Sequence, residues 1–377
     1  MISASRARTD SDGRFEVFGD PKSPVKVVLT EPQPDQRFFR AFCAAHENNR
    51  SDAVLSADVD LVCGIALSGR VTDQATQKAP EAAVVEYYPL FPNRHSSTLG
   101  NWRRGGPPSH AYVERDGTYH LVVLPGPGLI VAVASPRNLY TTAIVDDLVL
   151  AHFFTDGGNH GGDQLLHTAV AGDPQLYYVL DVNQYHAAAL IRPNEGEESL
   201  SLDLTLERGR KLLGMVVGTE GKPLTGARVT GLWGRTDEQT LESDSFTVSG
   251  LATGRRRELL FRHDGKNLGK TTVIEGNQTG PLRVQLEPCG SISGRIVDKN
   301  GKPVPGVAVC FSPRGRSGLY PFGDRVKTDH DGRFRADLVP GAGYSCSLYY
   351  PQRCREAGEW QVESGQCKDL GNMSLND

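Results

Sequence analysis

The chain has 377 residues, 38% of them hydrophobic and 23% charged, with 41 basic against 45 acidic side chains and a formal charge of −4. That length is too great for one hydrophobic core, so roughly two to four domains are expected. No basic block of the kind phosphate binding needs is present, which argues against nucleic acid as a main partner. No apolar run reaches the roughly 18 residues of a membrane helix.

The N-terminus, MISASRARTDSDG, lacks the apolar stretch of a secretory signal. The phrase TDSDGRF follows almost at once. It is the back half of a unit that recurs later, so residues 1–56 are expected to be an N-terminally incomplete β-sandwich repeat. Either the reading frame starts upstream or another chain fills the gap. Within that segment QRFFRAFCAAHEN (36–48) is the one stretch expected to be helical. From residue 57, ADVDLVCGIALSGRVTD opens a complete unit, interrupted by a Gly/Pro-rich insertion at 91–110. VERDGTYHLVVLPGPG (113–128) then repeats the Asp-Gly phrase, and a long extension at 135–200 carries HFFTDGGNHGGDQLLH. Long insertions in compact domains often carry function, so this extension is the expected place for a binding surface.

LDLTLERGRKLLGMVVGTEGKPLTGARV, from residue 202, and LRVQLEPCGSISGRIVDKNGKPVPGVAV, from residue 282, align without a gap at a period of 80 residues. Gly214 meets Gly294, and Gly221-Lys222-Pro223 meets Gly301-Lys302-Pro303. Asp116-Gly117 and Asp331-Gly332 share one offset of 215 residues with the Leu-Pro-Gly and Val-Pro-Gly trios that follow. Alternation in LDLTL and LRVQL indicates half-buried strands. About seven short strands per unit, punctuated by turns, indicate tandem seven-stranded antiparallel β-sandwiches, an all-β fold. The expected domains are 1–56 (partial), 57–206 with its two insertions, 207–287 and 288–377.

TDHDGRF invites comparison with a calcium loop. That loop needs a bidentate Glu six residues beyond the Gly, and Leu338 stands there. Asp-Gly between β-branched and aromatic residues is instead a hairpin signal, since Gly accepts positive φ.

GRIVDKNGKPVPGVAV (294–309), TDHDGRF (328–334) and LVPGAGY (338–344) resemble the carboxypeptidase regulatory-like family of transthyretin-like and starch-binding-like sandwiches. GMVVGTEGKPLTGARV (214–229) and, more loosely, GRVTDQATQKAPEAAVV (69–85) follow the same pattern. The arrangement is also similar to multi-repeat envelope proteins of Planctomycetes-type bacteria. The resemblance implies fold rather than activity, because such sandwiches accompany peptidases, adhesins and glycan-active proteins alike. Adhesin repeats of this kind also suggest a Lys–Asn isopeptide, for which Lys211 is the one candidate lysine.

A search for chemistry returns little. HExxH, HxxE, GxSxG, GxxxxGK[ST] and GxGxxG are absent. His152, Asp156, His160, Asp163 and His167 form the one candidate metal constellation, on a glycine-rich loop; polar loop residues are the plainer reading. Trp102, with Arg103 and Tyr112 nearby, is the candidate for stacking on a sugar. Arg103-Arg104 and Arg255-Arg256-Arg257 read as solvated faces. Of seven cysteines, Cys43, Cys63, Cys289, Cys310, Cys346, Cys354 and Cys367, none form a CxxC pair. Those near the C-terminus read equally as disulfides in an exported protein or as buried thiols.

The expected function is therefore non-catalytic: structural or binding modules in a rod-like array, engaging a protein or the cell envelope. The alternative is a carbohydrate-binding module, and the remotest is a metal-dependent activity within 135–200. No catalytic residue, metal or cofactor is expected. The partner is a protein or a carbohydrate surface, and an extracytoplasmic setting is expected if a signal precedes this chain.

Overall fold

The computed structural model describes residues 7–16, 26–28, 37–39, 42–44, 62–99, 109–144, 165–170, 173–233, 238–313, 325–350 and 353–375. The described residues are strands, turns and a few 3-10 turns, so the protein is all-β. Three pairs of sheets follow one another, each pair enclosing its own apolar core.

Each sandwich begins with an opening strand: Ile65–Asp73, Arg210–Val217 or Gly290–Val297. Alternate residues of these strands point inward, and Leu67, Leu212 and Ile292 are buried there. On one side the opening strand pairs antiparallel with the strand that follows the Asp-Gly phrase or its counterpart: Thr118–Val123, Ser245–Leu251 or Arg333–Leu338. On the other side it pairs with the closing strand of its own sandwich, and that pairing is parallel. A purely antiparallel sandwich was expected; the parallel closing strand corrects that, and it carries the chain out at the end opposite to its entry.

Cross-strand pairs explain the repeated glycine. Gly69 lies opposite Tyr119, Gly214 opposite Phe246, and Gly294 opposite Phe334. A Cβ on Gly294 would stand 3.0 Å from the Phe334 ring, and one on Gly214 would stand 2.2 Å from the Phe246 ring. There the missing side chain makes room for an aromatic ring in the core, whereas at Gly69 it makes room first for the Leu202 carbonyl of the closing segment, 1.7 Å from such a Cβ.

The second sheets are built around Ala82–Pro89 and Gly128–Ser135, Arg228–Thr230 and Arg256–His263, and Ala308–Pro313 and Gly343–Tyr350. In the first sandwich this sheet is buried on both faces. Leu129, Val131, Tyr88 and Leu90 form a second apolar layer with Ala143, Val182 and Tyr185. The long apolar run LVVLPGPGLIVAVA thus reflects a strand covered on both faces. Part of the 135–200 extension supplies that cover.

The helix expected at 36–48 is not found among the described residues there. Phe42–Ala44 is a strand paired with Lys26–Val28, and Phe38 bridges to Cys63. Backbone groups of 37–39 bond to residues 62 and 64 rather than along the segment, and the buried Phe39 ring lies 6.4 Å from that of Tyr87.

Candidate functional site

The recurring Asp-Gly phrase is a turn closed by its own carboxylate. Asp329 Oδ1 accepts the N–H groups of Asp331 and Arg333 at 2.9 and 2.8 Å. Gly332 N–H donates to Asp329 O at 3.0 Å, with Gly332 at φ +72. Asp10 does the same for Asp12 and Arg14 at 2.9 and 2.8 Å. Asp298 repeats it for Asn300 and Lys302, both at 2.9 Å. In these three turns the first carboxylate is engaged by backbone amides, as an Asx turn requires, whereas in VERDGTY Asp116 Oδ1 accepts the Thr118 N–H at 3.0 Å. Gly332→Ala should destabilise far more than Gly301→Ala. Both glycines sit at positive φ, but a Cβ at 332 meets Ile296 O at 2.5 Å, whereas nothing lies within 4 Å of one at 301. Urea unfolding should give about 1–2 kcal/mol for the open site and a clearly larger loss for the crowded one.

A second motif recurs three times, twice between described sandwiches. Phe39 N–H donates to Val62 O at 2.8 Å and Gly64 N–H to Arg37 O at 2.6 Å. Thr141 N–H donates to Glu207 O and Gly209 N–H to Leu139 O, both at 2.9 Å. Cys289 N–H donates to Asn267 O at 3.0 Å, and Leu268 and Gly269 pair with Pro288 and Glu287. In each case the linker before an opening strand anneals, antiparallel, to a segment of the preceding repeat. Its amides are satisfied by that repeat rather than by water.

At the first complete junction an aromatic plug lies between the sandwiches. Trp233, 6% exposed, donates Nε1–H to Tyr140 O at 3.4 Å. Its ring stands 5.3 Å from that of His186, which is 5.4 Å from Tyr140. The Arg137 guanidinium lies 5.8 Å over the indole. Below the plug Asp73, 2% exposed, accepts from Arg208 Nε at 2.9 Å and Tyr140 OH at 3.1 Å. Burial opposes the Asp73 charge, but bonds from Arg208, the Ala75 and Thr76 amides and Tyr140 outweigh it and hold its pKa below the ordinary value. Burial first, then the Asp73 charge, pushes Tyr140 up to about 12.

The run Arg255-Arg256-Arg257, expected as a solvated face, is divided by strand alternation. Arg256 is exposed and pairs with Glu275 at 2.8 Å. Arg255 crosses the junction to Thr142 O at 2.6 Å, and Arg257 holds the carbonyls of Ser249 and Gly250 at 2.5 and 2.8 Å. Burial, then the Arg255 charge, lowers Arg257 to about 10.

At the next junction Leu260 faces outward from its sheet and joins the core of the third sandwich. Gly269 leaves space for Val339, Arg262 Nη1 donates to Asp337 O at 3.0 Å, and Lys270 meets Glu287 at 2.6 Å.

Other sequence candidates fare variously. Trp102, Arg103, Arg104, His152, Asp156, His160 and Asp163 lie outside the described residues; His167 lies on the strand Leu165–Val170. Tyr112 is 73% exposed, with the His110 ring 6.2 Å away. Lys211 is exposed rather than aimed into a core, which removes the isopeptide. Among the described residues Cys63, Cys346 and Cys367 are free thiols, and burial, then Cys310, pushes Cys346 up to about 12. Among the described residues no three metal-binding side chains converge, and no helix is long and apolar enough to cross a membrane.

These features define a tandem β-sandwich protein. Residues 291–376, the third sandwich, match the carboxypeptidase regulatory-like domain family. The match covers that sandwich alone, although the other two share its glycine–aromatic pair and its parallel closing strand. No curated protein matches the chain. Among solved structures the Bacillus anthracis TIE protein aligns over 99% of this chain at 11% identity and a TM-score of 0.20, and the chain spans 66% of it. BcpA, the major pilin subunit of Bacillus cereus, aligns over 82% of this chain and 99% of its own at 8% identity and a TM-score of 0.19. A putative adhesin from Bacteroides ovatus aligns over 60% and 93% at 12% identity and a TM-score of 0.24.

Proposed function

We propose that the chain is a non-catalytic structural array, a stiff spacer of sandwich domains that holds or presents a protein partner at a fixed distance. The carrying observation is the junction repeated three times with the same backbone bonds. A flexible linker leaves successive domains free to swing; a linker annealed as a strand and backed by an aromatic plug removes that freedom. The divisions proposed with this reading are 57–206, 207–287 and 288–377, the last two beginning beside such linkers. Small-angle X-ray scattering in solution tests the proposal. One elongated particle with a single maximum dimension is expected; a broad spread of interdomain distances would overturn it.

A further inference from the structure

Among the described residues His186 is the histidine buried at a junction, and both its ring nitrogens are held by backbone. Nδ1 accepts the Ala134 N–H at 2.8 Å, so Nε2 carries the hydrogen and donates it to Arg137 O at 3.1 Å. The residue is 3% exposed, between the rings of Tyr140 and Trp233. The charged groups around it come from every side of the junction. Arg137 lies on the turn that follows its partner strand, and Arg255 and Arg257 come from the second sandwich. Asp73 stands beyond Tyr140 with its charge engaged by Arg208, and Glu207 acts on Arg255.

A proton added to this ring has only Nδ1 to occupy. There it would set an N–H against the Ala134 N–H, breaking a buried backbone bond and leaving two donors face to face. The new cation would also stand beside the Arg137 guanidinium, with no carboxylate hydrogen-bonded to the ring. The plug would relieve both conflicts by letting Trp233 and His186 separate. The second junction, built from Leu260, Val339 and Gly269, has no such group in its apolar contact.

We infer that the first junction is a proton-operated hinge, in which protonation of His186 releases Trp233 while the second junction stays closed. This rests on the tandem-array reading. Burial, then the Arg137 charge, lowers His186 to about 4 from its ordinary 6.5. The opened form therefore binds more protons than the closed one between those values. The open-to-closed ratio is lowest above about pH 6.5 and rises as pH falls toward 4, by about 70-fold between pH 7.5 and 4.5.

The test compares X-ray scattering of wild type and His186→Gln at pH 7.5 and 4.5. Glutamine can accept from Ala134 and donate to Arg137 without titrating. Wild type should broaden its distance distribution on acidification, and His186→Gln should not. Amide exchange on wild type, corrected for intrinsic rates, adds a readout that needs no variant: Thr141 and Gly209 should lose protection in acid while Cys289 keeps it. Opening of both junctions together, equal acid opening in His186→Gln, or no opening of wild type overturns the hinge. A broad distribution in wild type already at pH 7.5 would instead overturn the array.

Discussion

Trp233→Ala uncouples the first sandwich from the second without unfolding either. The indole belongs to the junction: it touches Tyr140, His186 and Arg137, all from the preceding sandwich. Truncating a buried tryptophan costs about 3–5 kcal/mol. Here that loss falls on the contact between two bodies that each keep their own core. Urea unfolding followed by far-ultraviolet circular dichroism should pass from one coupled transition to two separated ones, and the scattering profile at pH 7.5 should broaden. A single transition merely shifted to lower urea would mean that Trp233 supports the second core.

Asp73→Ala has the second large expected effect. The Asp73 carboxylate has two tasks: Oδ1 accepts the Ala75 and Thr76 amides at 2.9 and 3.3 Å to form a turn, and Oδ2 holds Arg208 and Tyr140. Asp298 performs only the first of these in the third sandwich. Arg208 is exposed and regains water, but the buried Tyr140 hydroxyl is left without its acceptor and the turn loses its carboxylate, a cost of about 1–3 kcal/mol. The pH dependence is part of the expectation. The folded-state pKa lies below the ordinary value, so this contribution is present above about pH 4 and is lost as pH falls through the folded value. Wild type minus Asp73→Ala, measured by denaturation from pH 7 down to 3, should shrink toward zero. A difference that stays constant over that range would show that the charge contributes nothing.

The strands were legible because sandwiches alternate burial along a strand, and sequences such as LRVQL and SISGRIV print that alternation directly. The turns were legible because Asp and Gly have few other reasons to recur at one spacing. The junctions were not, because Tyr140 and Arg208 meet only after a whole sandwich has closed. Trp233 carries no signal in the sequence for the same reason: its partners come from the preceding sandwich. Arg255-Arg256-Arg257 was misread by treating a run as a single face, when strand geometry sends alternate residues to opposite sides. The segment 36–48 was misread because adjacent Phe38 and Phe39 suit a helix stripe as well as a strand that ends a repeat. The cover of the first sandwich's second sheet had a signal that was available, an unbroken apolar run where a half-exposed strand would have alternated.

The parallel closing strand has a mechanical consequence. The chain enters each sandwich on the opening strand and leaves on its parallel neighbour, so a load on the two ends of the array pulls these strands in opposite directions along their length. Their ladder is loaded in shear, all its hydrogen bonds together, rather than unzipped one at a time. In the third sandwich the pairing runs from Ser291 with Cys367 to Val297 with Ser374, while in the second it spans only Gly214 to Val217. Under tension the second sandwich is the one placed to yield first.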